Sequence, residues 1–134
     1  MKLIVCLDDR MGMAFNRRRQ SRDRVLLNDL CAHVGKEPLY LLPYSLPLFE
    51  DLPITCLPLS PALSEPKDDS FVFLETTDPS PLADRIDELI LYRWNRHYPS
   101  DLTFSMDLKA FTLTHTEEFV GSSHEKIIKE VWKR

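Results

Sequence analysis

The sequence predicts an α/β fold, a single compact domain in which helices flank a central mixed β-sheet. Three observations predict it. The chain opens on a nearly continuous apolar run, Leu3-Ile4-Val5-Cys6-Leu7, the pattern of a strand buried on both faces. A helical apolar pattern follows at residues 24–34, and short apolar runs bounded by prolines and turn residues then recur along the chain. A length of 134 residues at 43% hydrophobic and 28% charged composition supplies one core and excludes two domains, so the unit spans 1–134.

Met1 to Leu7 reads as the first strand, and Asp8-Asp9 stands where it would leave the sheet, a common place for chemistry. An irregular loop follows. From Asp23 the spacing of Leu27, Leu30, Cys31 and Val34 predicts a helix over 24–34, with Asp23 as N-cap and Gly35 just past its end. Residues 38–43 and 53–58 are proline-bracketed strands with a short helix or turn between them, and 60–70 is a loop, the best place for a mobile segment. Phe71-Val72-Phe73-Leu74 is a strand, Ser80-Pro81 opens a helix holding Leu82, Ala83 and Ile86, and residues 89–94 form another strand. Ala110 to Thr116 follows as a strand with Phe111, Leu113 and His115 on one face. At the C-terminus, Ile127, Ile128, Val131 and Trp132 are helically spaced behind a capping-box pattern, which locally favours a helix over a strand.

Composition excludes several function classes. Apolar runs broken by Pro, Asp or Arg rule out a membrane-spanning helix, and an acid at position 8 rules out a signal peptide, so a cytoplasmic location is expected. Cys6, Cys31 and Cys56 lie among aliphatic residues as buried reduced thiols, without the pairing of a disulfide or zinc framework. Glycine occurs only at 12, 35 and 121, too sparsely for either common phosphate-binding fingerprint. Charge is uneven: residues 1–35 carry a balance of +3 within a chain of −4. Five arginines fall within residues 17–24, which suggests a focused anion site, the alternative being a solvated loop. Asn16, Arg18, Arg19, Gln20 and Ser21 are its expected residues, with the N-terminus of the following helix adding its dipole.

The order of elements is similar to that of dihydrofolate reductases over most of the chain. The resemblance rests on Leu3-Ile4-Val5-Cys6-Leu7-Asp8 followed by Gly12 and Asn16, and on Asp87-Glu88-Leu89-Ile90-Leu91-Tyr92. It implies an antiparallel strand pair across Phe111 to Trp132, against the local helical pattern there. The family's functional motifs are absent. Arg18-Arg19-Gln20 replaces Leu-Pro-Trp, Val25 falls at the acidic folate-binding position counted from Asn16, and Leu74-Glu75-Thr76-Thr77 stands in place of the cofactor Gly-Gly. Pyrophosphate needs glycine for close backbone approach, so NADPH binding and hydride transfer are not expected. Asn16-Arg17-Arg18-Arg19-Gln20-Ser21 and Gly121-Ser122-Ser123-His124-Glu125-Lys126 also resemble a group of short uncharacterised bacterial proteins sometimes labelled ribonuclease Z, although the zinc motif of that enzyme is absent.

Three constellations could carry chemistry. His115 and His124, with Glu118 or Glu125, would approach across a terminal hairpin as an acid–base pair or as metal ligands, or else stay as solvated turn residues. Asp8, Asp9 and Glu75 leave the ends of neighbouring strands and, as hard oxygen ligands, suit a divalent magnesium or manganese ion; otherwise they are caps and turn acids. Trp94, Arg96 and Tyr98 would share one face if their strand continues, suited to stacking a base and holding its phosphate. Two functions are open on this basis. One is an enzyme on a phosphorylated or nucleotide-like small molecule, such as a phosphoester hydrolase, with a ribonuclease-type hydrolase as its RNA variant. The other is a non-catalytic module that binds a nucleotide, another small anionic ligand or RNA through the same arginines. An acid or histidine converging on the arginine site would favour the enzyme.

Overall fold

The opening strand earns its central place by composition: with Leu3, Ile4, Val5 and Leu7 all apolar, it can be buried on both faces. In the computed structural model, which describes residues 1–134, the chain runs β1 (Lys2–Leu7), β2 (Gly12–Phe15), β3 (Arg18–Arg19), α1 (Arg24–Val34), β4 (Leu39–Leu41), β5 (Cys56–Pro58), β6 (Phe71–Phe73), β7 (Glu88–Arg93), β8 (Leu102–Thr103), β9 (Thr112–Phe119) and β10 (Ile127–Lys133). Seven strands form one sheet in the order β5-β4-β6-β1-β7-β10-β9. The first five of these are mutually parallel, and β10 and β9 add as an antiparallel pair. A second small sheet has the order β3-β2-β8.

Alternation along the strands divides the core. Ile4, Phe71, Phe73, Ile90 and Tyr92 face α1, which buries Leu26, Leu30, Cys31 and Val34 against them. Leu3, Val5, Val72, Leu89 and Leu91 face the opposite layer, made of Leu82, Ile86, Leu59, Leu63 and the hairpin residues Met13 and Ala14. The chain therefore crosses from one face of the sheet to the other around β1, which opens a crevice at the carboxyl ends of the strands. Buried Tyr92 donates to Asp29 at 2.5 Å, and Lys129 reaches the same carboxylate at 2.9 Å, tying α1 to β7 and β10. No helix is long and apolar enough to cross a membrane.

Several elements differ from the sequence expectation. The C-terminal segment is the strand β10, not a helix. Ile127, Lys129 and Val131 alternate as buried residues with Ile128, Glu130 and Trp132, and pairing with β7 on one side and β9 on the other outweighs the local helical spacing. Residues 80–85 form a 3₁₀ helix rather than an α-helix, and Ile86 lies beyond it in extended, buried backbone. Strand β7 ends at Arg93, so Trp94 is outside it. Ala110 belongs to a short 3₁₀ turn before β9. A bulge in β9 puts Leu113 opposite Trp132 but His115 opposite the adjacent Val131, so these two do not share a face as expected. Strands β2, β3 and β8 were not anticipated. All three cysteines are free thiols; Cys31 is buried, but Cys6 and Cys56 are only half-buried.

Candidate functional site

The loop leaving β1 is organised by Asp8. Its buried carboxylate accepts from the backbone N–H of Gly12 at 2.7 Å, of Arg10 at 2.9 Å and of Tyr98 at 3.2 Å, and from Gln20 Nε2 at 3.0 Å. Burial opposes ionisation, but these donors win and hold the carboxyl below its ordinary range. Gly12 has no room for a side chain, since a Cβ would meet Gln20 Nε2 at 2.6 Å. The loop then doubles back as the β2–β3 hairpin, with Phe15 opposite Arg18. Its two-residue tip, Asn16-Arg17, has φ of 52° and 60°, the left-handed pair of a type I′ turn without the usual glycine.

Strand alternation sends the two arginines of β3 to opposite sides. Arg18 is exposed, and no carboxylate pairs with it, nor with the exposed Arg17, Arg22 or Arg24. Arg19 turns inward and forms a two-pronged ion pair with Glu75, Nε to Oε1 at 2.9 Å and Nη2 to Oε2 at 3.1 Å. Its guanidinium also stacks 4.4 Å from the Tyr44 ring centroid and donates to the Tyr44 carbonyl. Ser45 Oγ donates to Glu75 Oε2 at 2.7 Å. Glu75 lies two residues past the end of β6, so this assembly sits at the carboxyl ends of the central strands. The expectation that Arg19 would clamp an external anion therefore meets a guanidinium already bound to an internal one.

A second buried assembly lies behind it. Asp23 caps α1 by accepting from the N–H of Val25 and Leu26, and the same carboxylate accepts from the backbone N–H of Ser122 and Ser123, each at 2.9 Å. Its Oδ2 also lies 3.1 Å from His124 Nδ1. Burial opposes its charge, yet the amides of Ser123 and Ser122 and the His124 ring press the Asp23 carboxyl far below its ordinary range. His124 continues the chain through Nε2 to the Tyr98 hydroxyl at 2.8 Å and stacks on Trp94, ring centroids 4.5 Å apart. Gly121 is required here because a Cβ would collide with the Asp23 carboxylate. The amides at the start of α1 are thus satisfied internally, and the helix dipole acts on Asp23 instead of an outside anion.

The expected metal and acid–base groupings do not assemble. Asp8 and Glu75 are buried in separate networks while Asp9 is exposed, and no three His, Cys, Asp or Glu side chains come together to hold a metal ion. His115 lies opposite Val131 on exposed β9, four residues and so about 13 Å along the strand from the turn that carries His124. Its nearest carboxylate is Glu117 at 3.6 Å. Trp94, Arg96 and Tyr98 do not share a face because the strand has ended and Asn95 turns the chain at φ 58°. Trp94 is buried and Arg96 exposed. Phe15, Ser123 and the bridging role of Asp23 are not legible in the sequence, where Asp23 shows only its capping position, and Tyr98 serves as the His124 partner rather than on a shared face with Trp94 and Arg96.

Two openings meet at the hairpin. A crevice of about 20 Å³, room for one water, is lined by Cys6, Ser21, Asp23, Glu75 and Trp94 among others. An open cleft of about 320 Å³ lies on the outer side, between Phe15, Asn16, Arg18, Tyr98 and Pro99. Gln20 lines both and carries a buried Oε1 without a hydrogen-bond partner.

No protein-family model matches the chain, and no curated protein sequence matches it. Among solved structures it is similar to the dihydrofolate reductase from Enterococcus faecalis complexed with NADP(H) and RAB-propyl, with a TM-score of 0.66 at 12% identity. The match covers 99% of this chain and 95% of that one. At this identity the likeness establishes the fold: a single α/β domain of dihydrofolate reductase-like architecture.

Proposed function

We propose that the chain is a non-catalytic binding module for a phosphate-bearing small molecule of the nucleotide type, held in the outer cleft. One observation carries this reading: Arg18, exposed and unpaired, lines an open cleft together with the half-exposed ring of Phe15. A guanidinium suits a phosphate, and an aromatic face suits a base. Asn16, on the rim of the same cleft, adds a polar contact for the base edge. No free carboxylate or histidine converges on Arg18, which is the arrangement of a binder. In the inner crevice, the Arg19–Glu75 pair puts a buried carboxylate where a dinucleotide phosphate would have to approach, which argues against NADPH there. The test is titration with ATP, UMP and a hexauridylate by calorimetry. Saturable binding that Arg18→Ala and Phe15→Ala each weaken at least about tenfold supports the reading, as expected for loss of one charged or one stacking contact of about 1.4 kcal/mol or more. Equal binding by Arg18→Ala, or none by the wild type, overturns it.

A second reading, phosphoester hydrolysis, is favoured by the hydrogen-bonded series Asp23–His124–Tyr98, which ends on a phenol lining the same cleft. A histidine oriented by a carboxylate can take a proton from a hydroxyl. A ribonuclease-type activity would be its RNA form, without the zinc motif. Phosphate release from an aryl phosphate or cleavage of the hexauridylate, abolished in Tyr98→Phe, would establish it over the binder.

A further inference from the structure

The two edges of the main sheet are protected unequally. Strand β5 has three residues and ends in Pro58, with Pro53 shortly before it, so it offers little to an incoming strand. Strand β9 runs for eight residues with neither proline nor glycine. One side pairs with β10 and the other with nothing, and every side chain from Thr112 to Glu118 is exposed. Glutamates often guard such an edge, but here each is paired within its own chain: Glu118 lies 3.3 Å from Lys126 in the turn before β10, and Glu117 lies 3.8 Å from Lys129 on β10.

We propose that β9 pairs antiparallel with β9 of a second copy, about a two-fold axis passing through Thr116. In such a pair, residues equally distant from Thr116 stand opposite each other on the same face of the sheet. His115 of each copy then faces Glu117 of the other, Thr114 faces Glu118, and Thr116 faces itself. The His115–Glu117 contact within one chain, 3.6 Å long and exposed, becomes a ring of four alternating polar groups. Centring the axis on Glu117 or Glu118 would instead oppose two like carboxylates, centring it on His115 or Thr114 would run the pairing into the bulge, and only Thr116 sets His115 against Glu117. The bulge at Leu113–His115 ends the regular run on one side, and the turn after Phe119 ends it on the other. The paired stretch is short, so the dimer is a weak one that forms by mass action at high concentration.

The experiment is sedimentation velocity on the full chain from about 5 to about 500 µM. The expected result is a mass rising from 15.7 kDa toward twice that value as concentration increases. Thr116→Lys, which sets two ammonium groups against each other at the axis, should remain monomeric at least tenfold further up the series, with an unchanged urea midpoint. If that variant does not fold, the charge pair decides: His115→Glu should abolish association, and His115→Glu with Glu117→Lys should restore it. A monomer throughout the range, or association equally strong in His115→Glu, overturns the proposal.

Discussion

Asp23 and His124 lie 3.1 Å apart in the folded chain although 101 positions separate them, and both are almost wholly buried. Their contact joins the first turn of α1 to the turn between β9 and β10.

Replacing Asp23 by Ala should destabilise the protein by about 3–5 kcal/mol, because four backbone amides and a buried imidazole lose their shared acceptor. Asn at this position keeps one acceptor oxygen and should cost less. Urea denaturation followed by Trp fluorescence measures both, and a loss below about 1 kcal/mol for Asp23→Ala would show that the network contributes little.

Acid should weaken the fold in a defined window. Asp23 and Asp8 have folded-state carboxyls held below their ordinary values, Asp23 much the further. Each contributes stability that is fully present above the unfolded carboxyl value of about 3.9 and is lost as pH falls toward the folded value. The urea midpoint should therefore drop steeply below about pH 4, and Asp23→Asn should flatten that drop.

Arg18 and Arg19 are adjacent but should respond oppositely. Arg19→Ala leaves Glu75 buried without its cation and should cost about 2–4 kcal/mol, whereas Arg18→Ala removes an exposed charge and should change stability by less than about 0.5 kcal/mol. Arg19→Met with Glu75→Leu should recover much of the loss. Thermal melts of the three variants distinguish a structural pair from two surface charges.

NADPH and folate should leave the intrinsic fluorescence of Trp94 and Trp132 unchanged apart from inner-filter absorption. Saturable micromolar quenching that survives Arg18→Ala would mean that NADPH or folate enters at the Arg19–Glu75 pair, whereas quenching lost in that variant would place the ligand in the outer cleft.

The thiols should react slowly. Burial, reinforced by Glu75, pushes the Cys6 thiol well up, and burial raises Cys31 and Cys56 as well. Thiolate is therefore scarce near neutral pH. A chromogenic disulfide reagent should modify all three much faster in urea than in native buffer.

Local pattern revealed the elements that stand on their own chemistry. The apolar run of β1 and the Asp23-to-Gly35 helix are legible because burial on both faces and paired end caps leave strong, short-range marks. Ile127 to Trp132 misleads because β-branched residues at positions 127, 128 and 131 satisfy a helical stripe and a strand equally, and only β7 and β9 decide between them. The hairpin at Asn16-Arg17 hides for a related reason: a left-handed pair normally advertises itself with glycine, and here Arg17 takes that role. At the site, the cluster of arginines was visible but the sidedness of Arg18 and Arg19 was not, since it depends on strand β3, only two residues long. Asp23 showed its capping role through local spacing, while its ties to Ser122, Ser123 and His124 are long-range and leave no periodic trace.

The central position of β1 also sets the order in which the domain can assemble on the ribosome. Lys2 pairs with Phe71 on one flank and Glu88 on the other, so this strand gains its first partner only some seventy residues later and its second later still. Its apolar residues stay uncovered on at least one flank through that interval, and loop closure over such separations is slow. Translation should therefore expose a sticky nascent segment to chaperones until β7 arrives, and chains cut short before Arg93 should aggregate rather than fold into a smaller domain.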